Sequence, residues 1–450
     1  MILDFLIDIA KTPAILVALI AILGLALQKK PAADLIKGGL KTFVGFIVVG
    51  GGANIIVGSL EPFGQMFEQA FNLKGVVPNN EAIVAMALDK YGTATSLIML
   101  LGMVFNIVIA RFTRFKYIFL TGHHTLYMAC MIAVIMSVAG FTSVGLIVMG
   151  GLALGLIMTL SPAFVQKYMI QLTGNDHVAL GHFSALGYWL SGVVGGLVGD
   201  KSKSKSTEDI NFPKGLAFLR DSTVSIAISM SLIYMIVALF AGGDYIKENL
   251  SGGTNSMIYA LTLGGTFAAG VFVILSGVRL ILAEIVPAFK GISEKLVPNS
   301  KPALDCPVVY PYAPNAVLIG FISSFAGGIV SMIILALTGG VVILPGVVPH
   351  FFCGATAGVM GNASGGVRGA VCGAFMQGVL ISFLPVFLLP VLGDLGFAGS
   401  TFSDADFGLS GIFLGILAKN GGILTVSVGI FAVLALMLGL SLVKKEQKEG

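Results

Sequence analysis

LAEIVPAFKGISEKLVPNSKPALDCPVVYPYAPNA, residues 282 to 316, decides how the rest of the chain is read. Apolar runs able to live in lipid stand on both sides of it. The stretch itself holds Glu284, Asp305, Tyr310, Tyr312 and seven prolines or glycines. Polar, helix-broken backbone between membrane spans is tolerated only where protein buries it or where it lines a cavity. An ionisable residue at that depth marks a functional site by default. Asp305 is therefore the first candidate for a substrate ligand. The alternative is a helix cap or an interfacial pair with a lysine.

Outward from that stretch, composition sets the class. Of 450 residues, 56% are hydrophobic and 11% charged, and mean hydropathy is +0.98; soluble domains carry roughly 25% charge. The chain is an all-α polytopic membrane protein whose surplus apolar residues face lipid. Its 60 glycines suit tightly packed or broken membrane helices. A net charge of +4 spread over the loops argues against a nucleic-acid partner. Cys130, Cys306, Cys353 and Cys372 form no CxxC pair and have no histidine at zinc-site spacing, so buried free thiols and no metal are expected. Asp4 and Asp8 and the lack of a basic start argue against a cleavable signal.

Apolar segments fall at 13–27, 43–60, 93–110, 117–140, 142–160, 178–198, 222–241, 259–282, 315–337, 341–360, 370–392 and 409–442. The second is interrupted by Gly50 to Gly52, and 61–91 reads as an acidic loop. Residues 341–360 read as a broken re-entrant pair, and 409–442 as long enough for more than one element. Lys29 to Lys41, Arg111 to Lys116 and Lys444 to Lys448 place their loops and the C-terminus in the cytoplasm by the positive-inside rule. The N-terminus is then outside, and an odd number of spans, about eleven, follows. Residues 200–221, opening with DKSKSKSTED, are the natural cytoplasmic linker between a first repeat, 13–199, and a second, 222–442, before the tail 443–450. GFI at 45–47 recurs at 320–322, and FLTGHH at 119–124 has a counterpart in VVPHFF at 347–352. Inverted repeats of this kind put broken helices and a binding site near the bilayer midplane.

Few constellations carry chemistry. TGHHTLY supplies Thr121, His123, His124, Thr125 and Tyr127 at a helix start, where free N–H groups attract anionic or hydroxyl-rich ligands; the alternative is an ordinary cap at the headgroups. GHFSALGYWL supplies His182, Ser184, Tyr188 and Trp189, as ligands or as an interfacial anchor. Asn80 and Glu81 open a further run, with Glu81 a ligand or a solvated loop acid. His350, Asn362 and Arg368 form a weaker set. Asp404, Asp406 and His177 read as solvated loop residues. No Walker A, GxSxG or HExxH motif occurs, so no cofactor is expected, and any phosphoryl donor must sit on another chain.

The stretches LIKGGLKTFVGF (35–46), LTGHH (120–124), GVRLILAEIVPAFKGISEKLVP (277–298), ALDCPVVYPYAPNAV (303–317) and GATAGVMGNASGGVRGA (354–370) resemble the membrane subunit IIC of the ascorbate-type sugar phosphotransferase system. Galactitol-type IIC proteins are more distant. The resemblance runs nearly end to end. It implies a homodimer in the bacterial cytoplasmic membrane, with eleven spans per protomer, a scaffold domain, and a core domain with two re-entrant hairpins that moves like an elevator. It also implies phosphorylation of the emerging solute by a cysteine-phosphate on a separate IIB protein, recharged by IIA. Family substrate positions fall on His123, His182 and Asp305. Two glutamines expected in ascorbate-type members are Tyr127 and Phe183 here, and His124 is an additional histidine. Losing two amides removes donors and acceptors, so the expected substrate is ascorbate or a related sugar acid, sugar or polyol, with Tyr127 and Phe183 free to stack on a sugar ring. The competing expectation is an ion-coupled secondary transporter with intramembrane Asp and His as proton or sodium sites.

Overall fold

A computed structural model describes residues 13–73, 75–200, 203–210, 218, 221–397 and 399–449. In chain order the larger helices are α1 (Pro13–Leu27), α2 (Ala32–Phe71), α3 (Asn80–Phe112), α4 (Gly122–Val138), α5 (Ser143–Thr173), α6 (Ala185–Val198), α7 (Ser222–Ala241), α8 (Gly243–Asn249), α9 (Ser256–Leu296), α10 (Pro314–Leu337), α11 (Val347–Leu388) and α12 (Ala405–Glu449). Among the described residues, eight helices are long and apolar enough to cross a membrane: α2, α3, α5, α7, α9, α10, α11 and α12. The apolar α4 and α6 are shorter. The N-terminal acids Asp4 and Asp8 and much of the linker lie outside the described residues.

Two of these helices are not single rods. α11 contains Gly366 at φ 64°, ψ −149°, where the chain turns back on itself. Gly361 and Gly369 then meet so closely that a Cβ on Gly361 would stand 2.2 Å from the Gly369 carbonyl. Only glycine combines that backbone angle with that approach. α12 bends likewise at Gly421 and Gly422, bringing Gly429 against Leu417.

Among the described residues, six short strands join the two halves: β1 (Gly75–Pro78), β2 (Tyr117–Phe119), β3 (Ala179–Leu180), β4 (Lys301–Leu304), β5 (Val342–Ile343) and β6 (Ser400–Thr401). They form two parallel sheets, ordered β5-β1-β6 and β2-β4-β3. Gly75 pairs with Val342 and Val77 with Ser400; Tyr117 pairs with Lys301 and Ala179 with Ala303. Each sheet thus takes its middle strand from one half and both edges from the other. Such short strands satisfy backbone groups that no helix can at these breaks.

The helices fall into two packed groups. α1, α2, α7 and α9 pack on one another, and α3 to α6 pack with α10 to α12. In the first group α2 crosses α9 at paired glycines: a Cβ on Gly45 would lie 2.6 Å from the Gly277 carbonyl, and one on Gly270 would lie 3.2 Å from that of Gly52. Small residues let the backbones approach and gain dispersion contact. In the second group α4 is apolar on every side beyond its first turn and almost wholly buried, as a helix at the centre of a bundle must be.

Several boundaries differ from the sequence expectation. α2 runs unbroken through Gly50 to Gly52 and on through Pro62 to Phe71, so Glu61 and Glu68 stand on a helix and not in a loop. α9 continues to Leu296, which narrows the break in the deciding stretch to 297–313; the side chain of Glu284 lies outside the described ones. The run 178–198 splits into β3, a turn and α6. All four cysteines are free, but Cys372 is exposed and not buried.

Candidate functional site

The ends of strands from both sheets deliver polar residues to one cavity of about 730 Å³. After β2 the chain turns at Thr121 and Gly122 into α4, placing His123, His124 and Tyr127 in its first turns. His123 and Tyr127 are four residues apart and so share a helix face. After β3 comes His182; after β4 comes Asp305. From the other sheet, β1 leads to Asn80 and Glu81 on α3, and β6 leads to Asp404. α9 supplies a further wall, including Arg279, and the start of α11 another, with Val348, Pro349, Phe352 and Cys353.

Asp305 does two things at once. Its Oδ1 accepts the backbone N–H of Cys306 at 2.7 Å, capping a 3-10 turn, Cys306–Tyr312. Its carboxylate also stands between two histidines, 3.5 Å from His123 Nε2 and 4.0 Å from His182 Nε2. Cap and ligand, alternatives from the sequence, are compatible in one side chain.

Asp404 and Asp406 overturn their reading as solvated: they are only 3% and 5% exposed. Asp404 Oδ1 accepts from Asn80 Nδ2 at 2.9 Å and Ser403 Oγ at 2.7 Å. Its Oδ2 faces His124 Nε2 and His182 Nδ1, each 3.9 Å away. Asp406 accepts from the N–H groups of Ala185 and Leu186, at 3.1 and 2.9 Å, and from Ser161 Oγ at 2.6 Å. It neutralises the exposed donors at the start of α6 and so fixes the loop that carries His182. The available signal was FSDAD set directly against a long apolar run, an acid pair at a helix start.

The histidine orientations are fixed by neighbours. The backbone N–H of Phe183 donates to His124 Nδ1 at 3.4 Å. That nitrogen is then an acceptor, and the ring proton sits on Nε2, facing Asp404. The Tyr188 hydroxyl lies 2.7 Å from His182 Nδ1; with that hydroxyl donating, the His182 Nε2–H faces Asp305. By spacing alone, His124, His182 and Asp404 could hold a metal ion, as could His123, His124 and Asp305. A His124 with its proton on Nε2 offers a donor there and no lone pair, which bears on those two sets but not on a third, His182, Asp305 and Cys306.

Three buried polar atoms on this cavity have no partner: Glu81 Oε2, Thr121 Oγ1 and Tyr127 Oη. Buried polar groups are almost always satisfied; five further unpartnered atoms, on Asn79, Thr95, Gln166, Gln377 and Thr401, lie off this cavity. Residues 8–406 match the family described as the PTS system sugar-specific permease component, EIIC-GAT. The chain belongs to this family. Among curated proteins it is similar to the ascorbate-specific PTS system EIIC component of Mycoplasma pneumoniae, at 26% identity over 443 residues. That alignment takes in 84% of this chain and 66% of the relative.

Not every residue expected at the permease's site reaches the cavity. Thr125 is buried and its hydroxyl donates back to the Thr121 carbonyl at 3.1 Å. Phe183 is enclosed, stacked on Phe119 with ring centroids 4.4 Å apart and edge-on to Phe407, so its ring is not free to stack on a sugar. His350 lies apart, bonded to Ser324 Oγ at 2.8 Å in a network with Gln377. Asn362 receives the linker's Thr207 N–H at 2.9 Å. His177 and Arg368 are exposed. Arg279 was not anticipated, because an arginine in an apolar run reads as a helix-end anchor.

Proposed function

We propose that this permease component imports a small polyhydroxylated solute, ascorbate or a related sugar acid, sugar or polyol, for phosphorylation by a separate IIB protein that IIA recharges. The observation that carries this reading is the cluster of unsatisfied Glu81, Thr121 and Tyr127 atoms beside Asp305, His123 and His182. Asp305 accepts from solute hydroxyls, and the histidine Nε2–H groups donate to solute oxygens. Charge-assisted hydrogen bonds of this kind are roughly twice as strong as neutral ones.

We further propose an inverted-repeat, elevator-type carrier in the bacterial inner membrane, working as a homodimer. The strand order supports the repeat, since each half inserts its first strand between the second and third of the other. Asn79 and Asp305 also take matching places, each capping the turn that follows a middle strand. The division into two helix groups supports a scaffold of α1, α2, α7 and α9 carrying a core with hairpins at Gly366 and Gly421–Gly422. The cytoplasmic side is the end where Lys116 bonds Lys301, Glu208 bonds Asn315 and Lys205 bonds Val367. That end also gathers Arg111, Arg114 and Arg368.

The test is uptake into vesicles with labelled sugars, polyols and sugar acids, with and without IIA, IIB and phosphoenolpyruvate. Accumulation should require all three and deliver phosphorylated solute. Strong accumulation driven by a proton or sodium gradient without them would replace this reading with an ion-coupled transporter.

A further inference from the structure

Arg279 stands inside the apolar span 256–281 of α9, between Val278 and Leu280. An arginine at membrane depth is expensive, and it normally meets an acid, a backbone carbonyl or a water-filled cavity. Arg279 lines the solute cavity and is exposed there. Among the described residues it makes no salt bridge and no hydrogen bond. Its side chain lies near enough to His123 for the two to act on each other electrostatically, and that action is repulsive when both are charged.

The other ionisable groups of the wall are matched among themselves. Asp305 stands between His123 and His182 and accepts the Cys306 N–H. Asp404 accepts from Asn80 and Ser403, shares a hydrogen bond with Cys353, and faces His124 and His182. Glu81 is buried and in no salt bridge among the described residues; a lone buried charge is costly, so it serves as a neutral hydrogen-bonding group. The guanidinium keeps its charge at every physiological pH and is left over. It also comes from a different place. The matched groups belong to the helix group of α3 to α6 and α10 to α12, whereas α9 packs with α1, α2 and α7.

Resting on the permease reading, we infer that Arg279 binds the negatively charged group of an anionic solute, and so selects a sugar acid or an ionised enediol such as ascorbate over an uncharged alditol of similar shape. The histidines and Asp305 hold the solute's hydroxyls, and the arginine takes its charge. A guanidinium offers its N–H donors as a planar fork that fits two adjacent oxygens. Charge-assisted bonds of this kind are short and strong, and more so away from bulk water. A phosphate ester carries the same chemistry, so the phosphorylated product is the second source to be tested. A core that moves against α9 carries the hydroxyl-binding residues away from the arginine, so the anion is gripped in one position of the core and released in the other.

The experiment uses the full-length protein in lipid nanodiscs and measures binding of ascorbate, galactonate, galactitol and galactitol 1-phosphate, with melting recorded for each variant. The parent should bind galactonate more tightly than galactitol, and added salt should narrow that gap. Arg279→Gln should weaken ascorbate and galactonate at least about tenfold more than it weakens galactitol. Arg279→Lys keeps the charge without the fork and should fall between. Equal weakening of acids and alditol in a well-folded variant overturns the inference, as does loss confined to the phosphate ester, which would assign the arginine to the product. Should Arg279→Gln not fold, a galactonate-to-galactitol ratio in the parent that salt leaves unchanged overturns it instead. Dependence of product formation on IIA, IIB and phosphoenolpyruvate is scored separately. Galactitol phosphorylated through IIB by a parent that does not favour the acids would leave the permease reading standing and remove the role of Arg279 alone. Acids held through Arg279 but accumulated on an ion gradient without IIB would do the reverse.

Discussion

The two sheets are built alike and furnished differently. Sheet β2-β4-β3 ends in His123, His124, His182 and Asp305, so three of its four functional side chains are imidazoles. Sheet β5-β1-β6 ends in Asn80, Glu81 and Asp404, with His350 turned away into a network of its own. The backbone device is the same: a short parallel strand stops, and the next residue caps or opens a helix. What differs is whether the side chain at that point is free for a ligand. The contrast separates residues that hold the fold from residues that face the cavity.

The largest expected effect contrasts the two helix reversals. Gly366→Ala would impose a side chain at φ 64°, ψ −149°, with its Cβ 2.4 Å from the Lys205 carbonyl. Strain and clash together should cost about 3–5 kcal/mol, seen as loss of monodisperse protein on size exclusion. Gly422→Ala meets nothing nearer than the Ala139 carbonyl at 3.5 Å. It should cost only the backbone strain, about 1–3 kcal/mol. Equal behaviour of the two variants would show that space at the reversal does not matter.

Next come the matching caps. Asp305→Asn keeps an oxygen for the Cys306 N–H but removes the charge between His123 and His182. It should weaken solute binding by about 1–3 kcal/mol, measured by calorimetry, with little change in melting. Asn79 caps α3 by accepting from Ala82 N at 2.7 Å but is not on the cavity wall. Asn79→Ala should therefore lower stability by about 0.5–2 kcal/mol and leave binding alone. The reverse pattern, with binding lost at Asn79 and not at Asp305, would place the pocket at the other sheet.

The smallest effect concerns the start of the middle strand of the histidine-bearing sheet. Lys301, the first residue of β4, is paired with Asp176, which also accepts from Gln166 Nε2 at 2.8 Å. Partial burial pushes the Asp176 carboxyl up, but the bonds and charge from Lys301 and Gln166 outweigh this, so the net shift is below its ordinary 3.8. A depressed folded-state value means stability that is present above pH 3.8 and lost as pH falls through the folded value. Asp176 is half exposed, so the contribution is small. Melting between pH 6 and pH 3 should show a slightly shallower acid loss in Lys301→Met than in the parent. A steeper acid loss in Lys301→Met than in the parent would contradict this.

Much of this was legible in the chain itself. Lipid-facing runs announce themselves by length, and His123, His182 and Asp305 stand at breaks between such runs, where polar backbone needs a reason to exist. The strands were not legible. Two to four residues carry no measurable period of two, and their partners lie in the other half of the chain. Asp404 was missed for the same cause: its burial depends on Asn80, more than three hundred positions away, and locally it looks like any acid in a turn. α2 was cut short because Glu61 and Pro62 read as a loop. A 40-residue helix spans about 60 Å, twice the hydrocarbon thickness, and its polar end borders a second cavity lined by Glu61, Gln65 and Glu68.

The exchange of middle strands between sheets also bears on how the protein is made. Ser400 Oγ donates to the Val77 carbonyl across 323 positions. At the usual ~5–20 residues per second of synthesis, β1 leaves the ribosome on the order of tens of seconds before β6 exists. Until β5 is made the backbone of β1 lacks both of its neighbours, and until β6 is made it lacks one. Each half is a template that the other must complete, so a ribosome that stalls after the linker leaves an open-edged intermediate, of the kind that membrane quality control removes.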